Sequence, residues 1–112
     1  MTEIRIYPAE GTWVVRADGA VIGESRSALE LTEGDAPFVI YFPPEDIALA
    51  FLDKSDRQSS CEQRGAATHY HITSPGGLLE NAAHSYDTPP ESYAQIRGYL
   101  AFDAGKVTVE RV

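Results

Sequence analysis

The sequence predicts an all-β fold of mostly short antiparallel strands, closed or folded over itself into a small barrel or sandwich, with one or two short helical segments. Short apolar stretches recur at close spacing between turn signals, and several alternate with period two. The regular alternation of strand and helix that indicates a parallel sheet is missing. With 112 residues, of which 43% are hydrophobic and 23% charged, the chain is expected to form a single domain, 1–112, that buries a core without disulfides.

The first half of the chain predicts five strands and one helical turn. Alternation, or β-branched and aromatic content, places the strands at 3–7, 12–17, 20–24, 28–32 and 38–42. Asp18-Gly19 joins the second strand to the third in a hairpin, because both turn residues tolerate positive φ. Pro43-Pro44-Glu45-Asp46 predicts one helical turn, since proline and acidic residues favour a helix N-terminus.

The second half predicts further strands, one short helix and a long irregular segment. Strands are expected at 48–53, 65–73, 80–86, 99–102 and 106–112. The polar residues 53–64 are expected to be irregular. A tight turn at 74–77 and another at 103–105 predict two hairpins. Residues 91–97 follow two prolines and precede Gly98, which predicts a helix.

Composition excludes several classes of function. A net charge of -8, from 17 acidic against nine basic residues, argues against a nucleic-acid partner, which needs a basic surface. One cysteine excludes a disulfide framework and a zinc site built mainly from thiolates. The longest apolar run, Ile47–Leu52, is too short to span a membrane, and no signal peptide is visible, so a cytoplasmic protein is expected. No cofactor is indicated.

All three histidines fall in one predicted hairpin. If the two-residue turn is Gly76-Gly77, His69 lies opposite His84 and His71 lies opposite Ala82, so the imidazoles share one face of the hairpin. Converging imidazole nitrogens predict a metal site at His69, His71 and His84. A register slip of one residue would disperse the three histidines. Cys61, Glu80 or water could serve as a fourth ligand, and the spacing selects none of them.

Cys61, the one cysteine of the chain, is a candidate nucleophile. Arg57 and Arg64 flank it and would favour a thiolate, whereas Asp56 and Glu62 oppose that shift. A nucleophilic cysteine also needs a base, which one of the histidines could supply. The alternative reading of Cys61 is a small buried apolar residue.

Five segments, taken in order, resemble a known family across almost the whole chain, from about residue 13 to residue 109. The segments are GESRSAL at 23–29, YFPPEDI at 41–47, CEQRGAA at 61–67, NAAHSY at 81–86 and IRGYLAF at 96–102. They are similar to segments of the bacterial domain-of-unknown-function family four-two-seven, also labelled nucleotidyltransferase family nine. The resemblance implies an all-β, tent-like fold and supplies no activity.

The departures from the family pattern bear on the histidines. Glu62 and Arg64 stand where the family usually has proline and lysine, and His84 and His69 stand where it usually has tryptophan and another aromatic residue. A metal at the histidines would therefore belong to this chain rather than to the family. The sequence also lacks a phosphate loop and a spaced carboxylate pair for magnesium, so it gives the nucleotidyltransferase label no support.

Three hypotheses about function follow. The first is an uncharacterised small β domain that binds a small anionic ligand, with arginines holding the anion. The second is a metal-dependent or thiol enzyme that uses the histidines or Cys61, and the third is a protein-interaction module, monomeric or homodimeric. No catalytic residue is assigned. The ligand pocket of the first hypothesis is predicted around Arg26, Asp46, Cys61, Arg64, His84 and Tyr86.

Overall fold

The structure, a computed structural model, describes residues 3–112 as three antiparallel sheets. The strands are β1 (Ile4–Pro8), β2 (Trp13–Ala17), β3 (Ala20–Ser25), β4 (Leu29–Glu33), β5 (Val39–Tyr41), β6 (Leu52–Cys61), β7 (Gly65–Ser74), β8 (Gly77–Tyr86), β9 (Leu100–Phe102) and β10 (Thr108–Arg111). Short 3-10 helices span Pro44–Asp46, Leu49–Phe51 and Glu91–Ile96. The predicted all-β fold is confirmed.

The largest sheet has the order β6-β7-β8-β9 and forms the middle of the molecule. The other two sheets have three strands each, in the orders β1-β4-β5 and β10-β2-β3. Phe42, just after β5, exchanges two backbone hydrogen bonds of 2.8 Å with Leu100 of β9, which joins the first small sheet to the large one. None of the helices described in residues 3–112 is long and apolar enough to cross a membrane.

Two hydrophobic cores lie on opposite faces of the large sheet. Along β9, Leu100 and Phe102 belong to one core and Ala101 to the other, because successive side chains of a strand point to opposite faces. The first core packs the large sheet against β2 and β3, with Val15, Ile22 and Ile72 nearly inaccessible. The second core packs the other face against β4 and β5 and includes Leu31, Tyr41, Ala67, Tyr86, Tyr93 and Ile96.

The predicted strand at 48–53 and the predicted irregular segment at 53–64 are both wrong. Leu49–Phe51 is a 3-10 helix, and β6 then runs from Leu52 to Cys61. β6 is an edge strand in which Ser55 is the one fully buried residue, so its sequence is polar on both faces and lacks the alternation that marks a half-buried strand.

The predicted hairpin around 103–105 is also wrong. The turn forms, but β9 pairs with β8 in the large sheet whereas β10 pairs with β2 in another sheet. A turn signal reverses the chain locally and does not decide which partner the following strand takes. The helix predicted at 91–97 is present as the 3-10 helix Glu91–Ile96.

Candidate functional site

The long hairpin of β7 and β8 places His69 directly opposite His84, as the sequence predicts. The two ring centroids lie 6.0 Å apart and the rings are tilted by 43°. The turn is at Pro75-Gly76, however, because Ser74 pairs with Gly77. A bulge between Tyr70 and Ile72 then adds two residues to β8, so that the two displacements cancel at the histidines.

His71 lies at this bulge, and its predicted pairing with Ala82 is wrong. The backbone N–H of Asn81 donates to His71 Nδ1 at 3.0 Å, and Asn81 adopts a left-handed φ of 50°. One ring nitrogen of His71 is therefore used to hold the bulge. Within residues 3–112, no group of three or more His, Cys, Asp or Glu side chains is placed to hold a metal ion. The geometry gives the predicted metal site at His69, His71 and His84 no support.

His84 is half-buried between two tyrosines of the second core. Its ring meets the rings of Tyr41 and Tyr86 edge to face, with centroid distances of 6.2 Å and 5.6 Å. Burial lowers the pKa of His84 to about 4, with smaller contributions from His69 and Arg64. The imidazole is therefore neutral at neutral pH, with one nitrogen donating and the other accepting.

A cleft of about 270 Å³ opens at the exposed side of the histidine pair, and we call it the histidine cleft. His69 shares a 2.6 Å hydrogen bond between its Nε2 and Ser59 Oγ, and burial and the nearby Arg57 lower its pKa. The salt bridges found among residues 3–112 involve Arg5, Arg16 and Arg64 and leave Arg57 available to the cleft. The cleft is lined by Arg57, His69, Asn81, Ala82, His84 and Asp103.

Strand β6 carries Arg57 to this cleft through a bulge of its own. The pairing of β6 with β7 shifts between Lys54 and Gln58, which inserts two extra residues into β6 beside His69. Ser55 Oγ donates to Asn81 Oδ1 at 2.5 Å and accepts the Arg57 backbone N–H at 3.1 Å. The two bulges, on β6 and on β8, are thus tied together across β7, and they form one wall of the histidine cleft.

Behind His84, a group that we call the arginine cluster surrounds the Arg64 guanidinium. Arg64 Nη2 lies 2.8 Å from Glu33 Oε1, and Arg64 Cζ lies 5.8 Å from the centroid of the Tyr93 ring. Arg64 Nε and Tyr41 Oη are both buried without a hydrogen-bond partner among the described residues. Burial raises the pKa of Tyr41 to about 12, so its phenol stays protonated. The members are Glu33, Tyr41, Arg64, Tyr86 and Tyr93.

The six residues predicted for the ligand pocket lie in two places. Arg64, His84, Tyr86 and the half-buried Cys61 surround or join the second core. Asp46, in the first 3-10 helix, accepts a 2.7 Å hydrogen bond from Ser25 Oγ at the end of β3, and the neighbouring Arg26 is exposed. The contacts described for residues 3–112 connect neither Arg26 nor Asp46 to Arg64.

Several residues of this site are absent from the ligand pocket that the sequence predicts. Arg57 lies in a segment expected to be irregular, and Asp103 reads only as part of a turn. The bulge places Asn81 in the site. Asparagine tolerates the positive φ of this bulge, but an asparagine in a sequence does not by itself indicate a bulge. Glu33 and Tyr93 are brought to Arg64 by the packing of separate elements, and no local signal could have identified them.

Comparison with known proteins places the chain among domains without an assigned activity. A family model described as a domain of unknown function (DUF427) matches residues 5–112. None of the curated proteins compared with the chain matches it.

Proposed function

The chain belongs to the DUF427 family of domains of unknown function, and we propose that it binds a small anionic ligand in the histidine cleft. The observation that carries the proposal is the combination of an arginine at the rim with a neutral imidazole at the floor. Arg57 supplies the cation, and His84, which stays neutral at physiological pH, supplies one hydrogen-bond donor and one acceptor.

The lining of the cleft restricts the ligand. A guanidinium binds a carboxylate or a phosphate through two parallel hydrogen bonds, which favours the anionic group of the ligand at Arg57. Asp103, on the same cleft, disfavours a second negative group near it and favours hydroxyl or amino groups. A volume of about 270 Å³ is small for a ligand pocket, so the ligand has few non-hydrogen atoms. A short hydroxy acid or a small phosphate ester fits these conditions.

This site modifies the sequence-based hypothesis. The sequence predicts that Arg26 and Arg64 hold the anion, but the Arg64 guanidinium already pairs with Glu33 and lies against Tyr93. We propose that the arginine cluster instead holds His84 in position at the floor of the cleft, because the rings of Tyr41 and Tyr86 pack against the His84 ring. Anion recognition is assigned to Arg57 instead.

Titration with inorganic phosphate and with lactate, followed by amide chemical shifts, tests the proposal. We expect saturable shifts at the amides of Arg57, His69, His84 and Asp103, and an affinity at least fivefold weaker in Arg57→Gln. Arg5→Gln is the matched control, since Arg5 is an exposed arginine on another sheet. Shifts that map elsewhere, or an equal effect of the two substitutions, would refute anion binding at this cleft.

The thiol version of the enzyme hypothesis gains no support from the contacts of Cys61. Its Sγ lies 3.5 Å from Gln63 Oε1, whereas His69 shares a hydrogen bond with Ser59 and His71 accepts one from Asn81. A nucleophilic thiol needs a base within hydrogen-bond reach. The described contacts thus favour binding over thiol catalysis.

A further inference from the structure

A second cavity lies on the opposite face of the large sheet from the histidine cleft. Ser85 of β8 pairs with Leu100 of β9 on this face, and Leu49 of the 3-10 helix Leu49–Phe51 contributes to the lining of the cavity. The cavity has a volume of about 260 Å³, and we call it the serine cavity. The lining residues that matter here are Leu49, Leu52, Tyr70, Ser85, Asp87 and Leu100.

Three leucines give the serine cavity an aliphatic surface. Leu52 and Leu100 form part of the wall together with Leu49, which is 52% exposed. An aliphatic wall that is open to solvent at Leu49 can accept the apolar body of a small molecule and gains free energy by excluding water.

The hydroxyl of Ser85 is unpaired in this wall. The residue is 2% exposed, and its Oγ finds no hydrogen-bond partner among residues 3–112. Buried polar atoms are nearly always hydrogen-bonded, so the unpaired hydroxyl of a residue that lines a cavity is a candidate contact for a ligand bound in that cavity. Of the other side chains that the structure describes, Tyr41 and Arg64 also have an unpaired buried polar atom, and both belong to the arginine cluster.

The charge of the cavity selects the kind of partner. Asp87 supplies a carboxylate whose Oδ2 accepts the Thr68 hydroxyl at 2.9 Å, which leaves its other oxygen for a ligand. The lining contains no lysine, arginine or histidine. Arg97 is the nearby basic residue, and its Nε donates to the backbone carbonyl of Asp87 at 3.1 Å rather than to the carboxylate. Asp87 is thus the charged side chain of the lining, and it favours a cationic over an anionic ligand.

We propose that the serine cavity binds a small amphipathic primary amine. Its aromatic or branched aliphatic body lies against Leu49, Leu52 and Leu100, and its ammonium group donates to Ser85 Oγ and to the free oxygen of Asp87. A primary ammonium has three donors and can satisfy both acceptors at once. The proposal does not depend on anion binding in the histidine cleft, because the two cavities use opposite faces of the sheet.

Three probes of similar size and different charge test the proposal on the full chain. Amide chemical shifts are followed during titration with 2-phenylethylamine, 2-phenylethanol and phenylacetate. We expect the amine to shift the amides of Tyr70, Ser85, Asp87 and Leu100 saturably, the alcohol to bind at least fivefold more weakly, and phenylacetate to produce no saturable shift. Equal binding of amine and alcohol, binding of phenylacetate, or amine-induced shifts confined to the histidine cleft would overturn the proposal.

Substitutions separate the two polar contacts. Asp87→Asn should reduce the affinity for the amine to that for the alcohol. Asp53 is an exposed acidic residue on β6 of the same sheet, and Asp53→Asn should leave the affinity for the amine unchanged. Ser85→Ala should weaken amine binding without lowering the melting temperature, because the hydroxyl has no hydrogen-bond partner within residues 3–112. A lowered melting temperature in Ser85→Ala would show that the hydroxyl serves the fold, and it would overturn the assignment.

Discussion

At the scale of single residues, His84 is expected to make the fold sensitive to acid. Burial lowers its pKa from 6.5 to about 4 in the folded chain. Between these two pH values the unfolded chain binds more protons than the folded chain, so the free energy of unfolding falls as the pH drops. The stabilisation is fully present above pH 6.5 and is lost toward pH 4, by up to about 3 kcal/mol.

Urea denaturation at several pH values measures this loss. Other carboxylates also titrate at the lower end of the range, so the comparison is made with His84→Trp, which carries the residue usual in the family. We expect the variant to lose less stability than the parent chain between pH 7 and pH 4.5. Parallel curves for the two proteins would contradict the assignment of the acid sensitivity to this imidazole.

The ion pair of Arg64 and Glu33 is the second residue-scale feature with a measurable consequence. The two side chains are only 17% and 21% exposed, so Glu33→Gln leaves a largely buried cation without its charged partner. We expect a loss of about 2–3 kcal/mol in the free energy of unfolding, somewhat less than for a fully buried pair. The exposed pair of Arg5 and Glu3 is the control, because such pairs contribute about 0–1 kcal/mol. Comparable losses in Glu33→Gln and Glu3→Gln would disprove the special role of Arg64.

At the scale of elements, the bulge at Asn81 fixes the register of the histidine hairpin. Asn81 combines a left-handed backbone with the hydrogen bond that its side chain accepts from Ser55. Asn81→Ala loses this bond and places an unfavourable residue at positive φ, for an expected loss of about 2 kcal/mol. Asn81→Gly loses only the bond and should cost about 1 kcal/mol. Thermal or urea denaturation ranks the stabilities of the parent chain and the two variants. A glycine variant less stable than the alanine variant would be inconsistent with backbone strain at position 81.

The sequence predicts those elements whose signals are local. Asp18-Gly19 and the strands on either side of it follow from turn chemistry and β-branched residues, and they are present. β6 escapes prediction because an edge strand with two exposed faces has no alternation. The opposition of His69 and His84 follows from the sequence only because a displaced turn and a two-residue bulge cancel. The remaining site residues are assembled by tertiary packing, which no spacing in the sequence encodes.

At the scale of the whole molecule, the exposed edge of the large sheet bears on whether the chain is a monomer or a homodimer. β6 forms this edge, and it has a bulge and carries exposed Asp53, Lys54, Asp56 and Arg57. Charges and bulges on an edge strand oppose pairing with a second chain. The net charge of -8 adds repulsion between copies.

We therefore expect a monomer. Light scattering coupled to size-exclusion chromatography should give the mass of one chain at the highest concentration that stays in solution. A variant whose edge carries no charge, Asp53→Asn with Lys54→Gln, Asp56→Asn and Arg57→Gln, serves as the comparison, because it should associate more readily than the parent chain. A dimer of the parent chain at low concentration would favour the hypothesis of a homodimeric interaction module.

Successive side chains of β8 point to opposite faces of the sheet, and this alternation determines which insertions and deletions the domain can accommodate. His84 and Ser85 are neighbours that face opposite cavities of the same sheet. Between the hairpin turn and these residues, the strand already accommodates two additional residues at the bulge. A further inserted pair would leave imidazole and hydroxyl facing their own cavities, whereas a single inserted residue would exchange them and destroy both sites at once. Length variation among related chains is thus expected to occur in steps of two between the turn and His84.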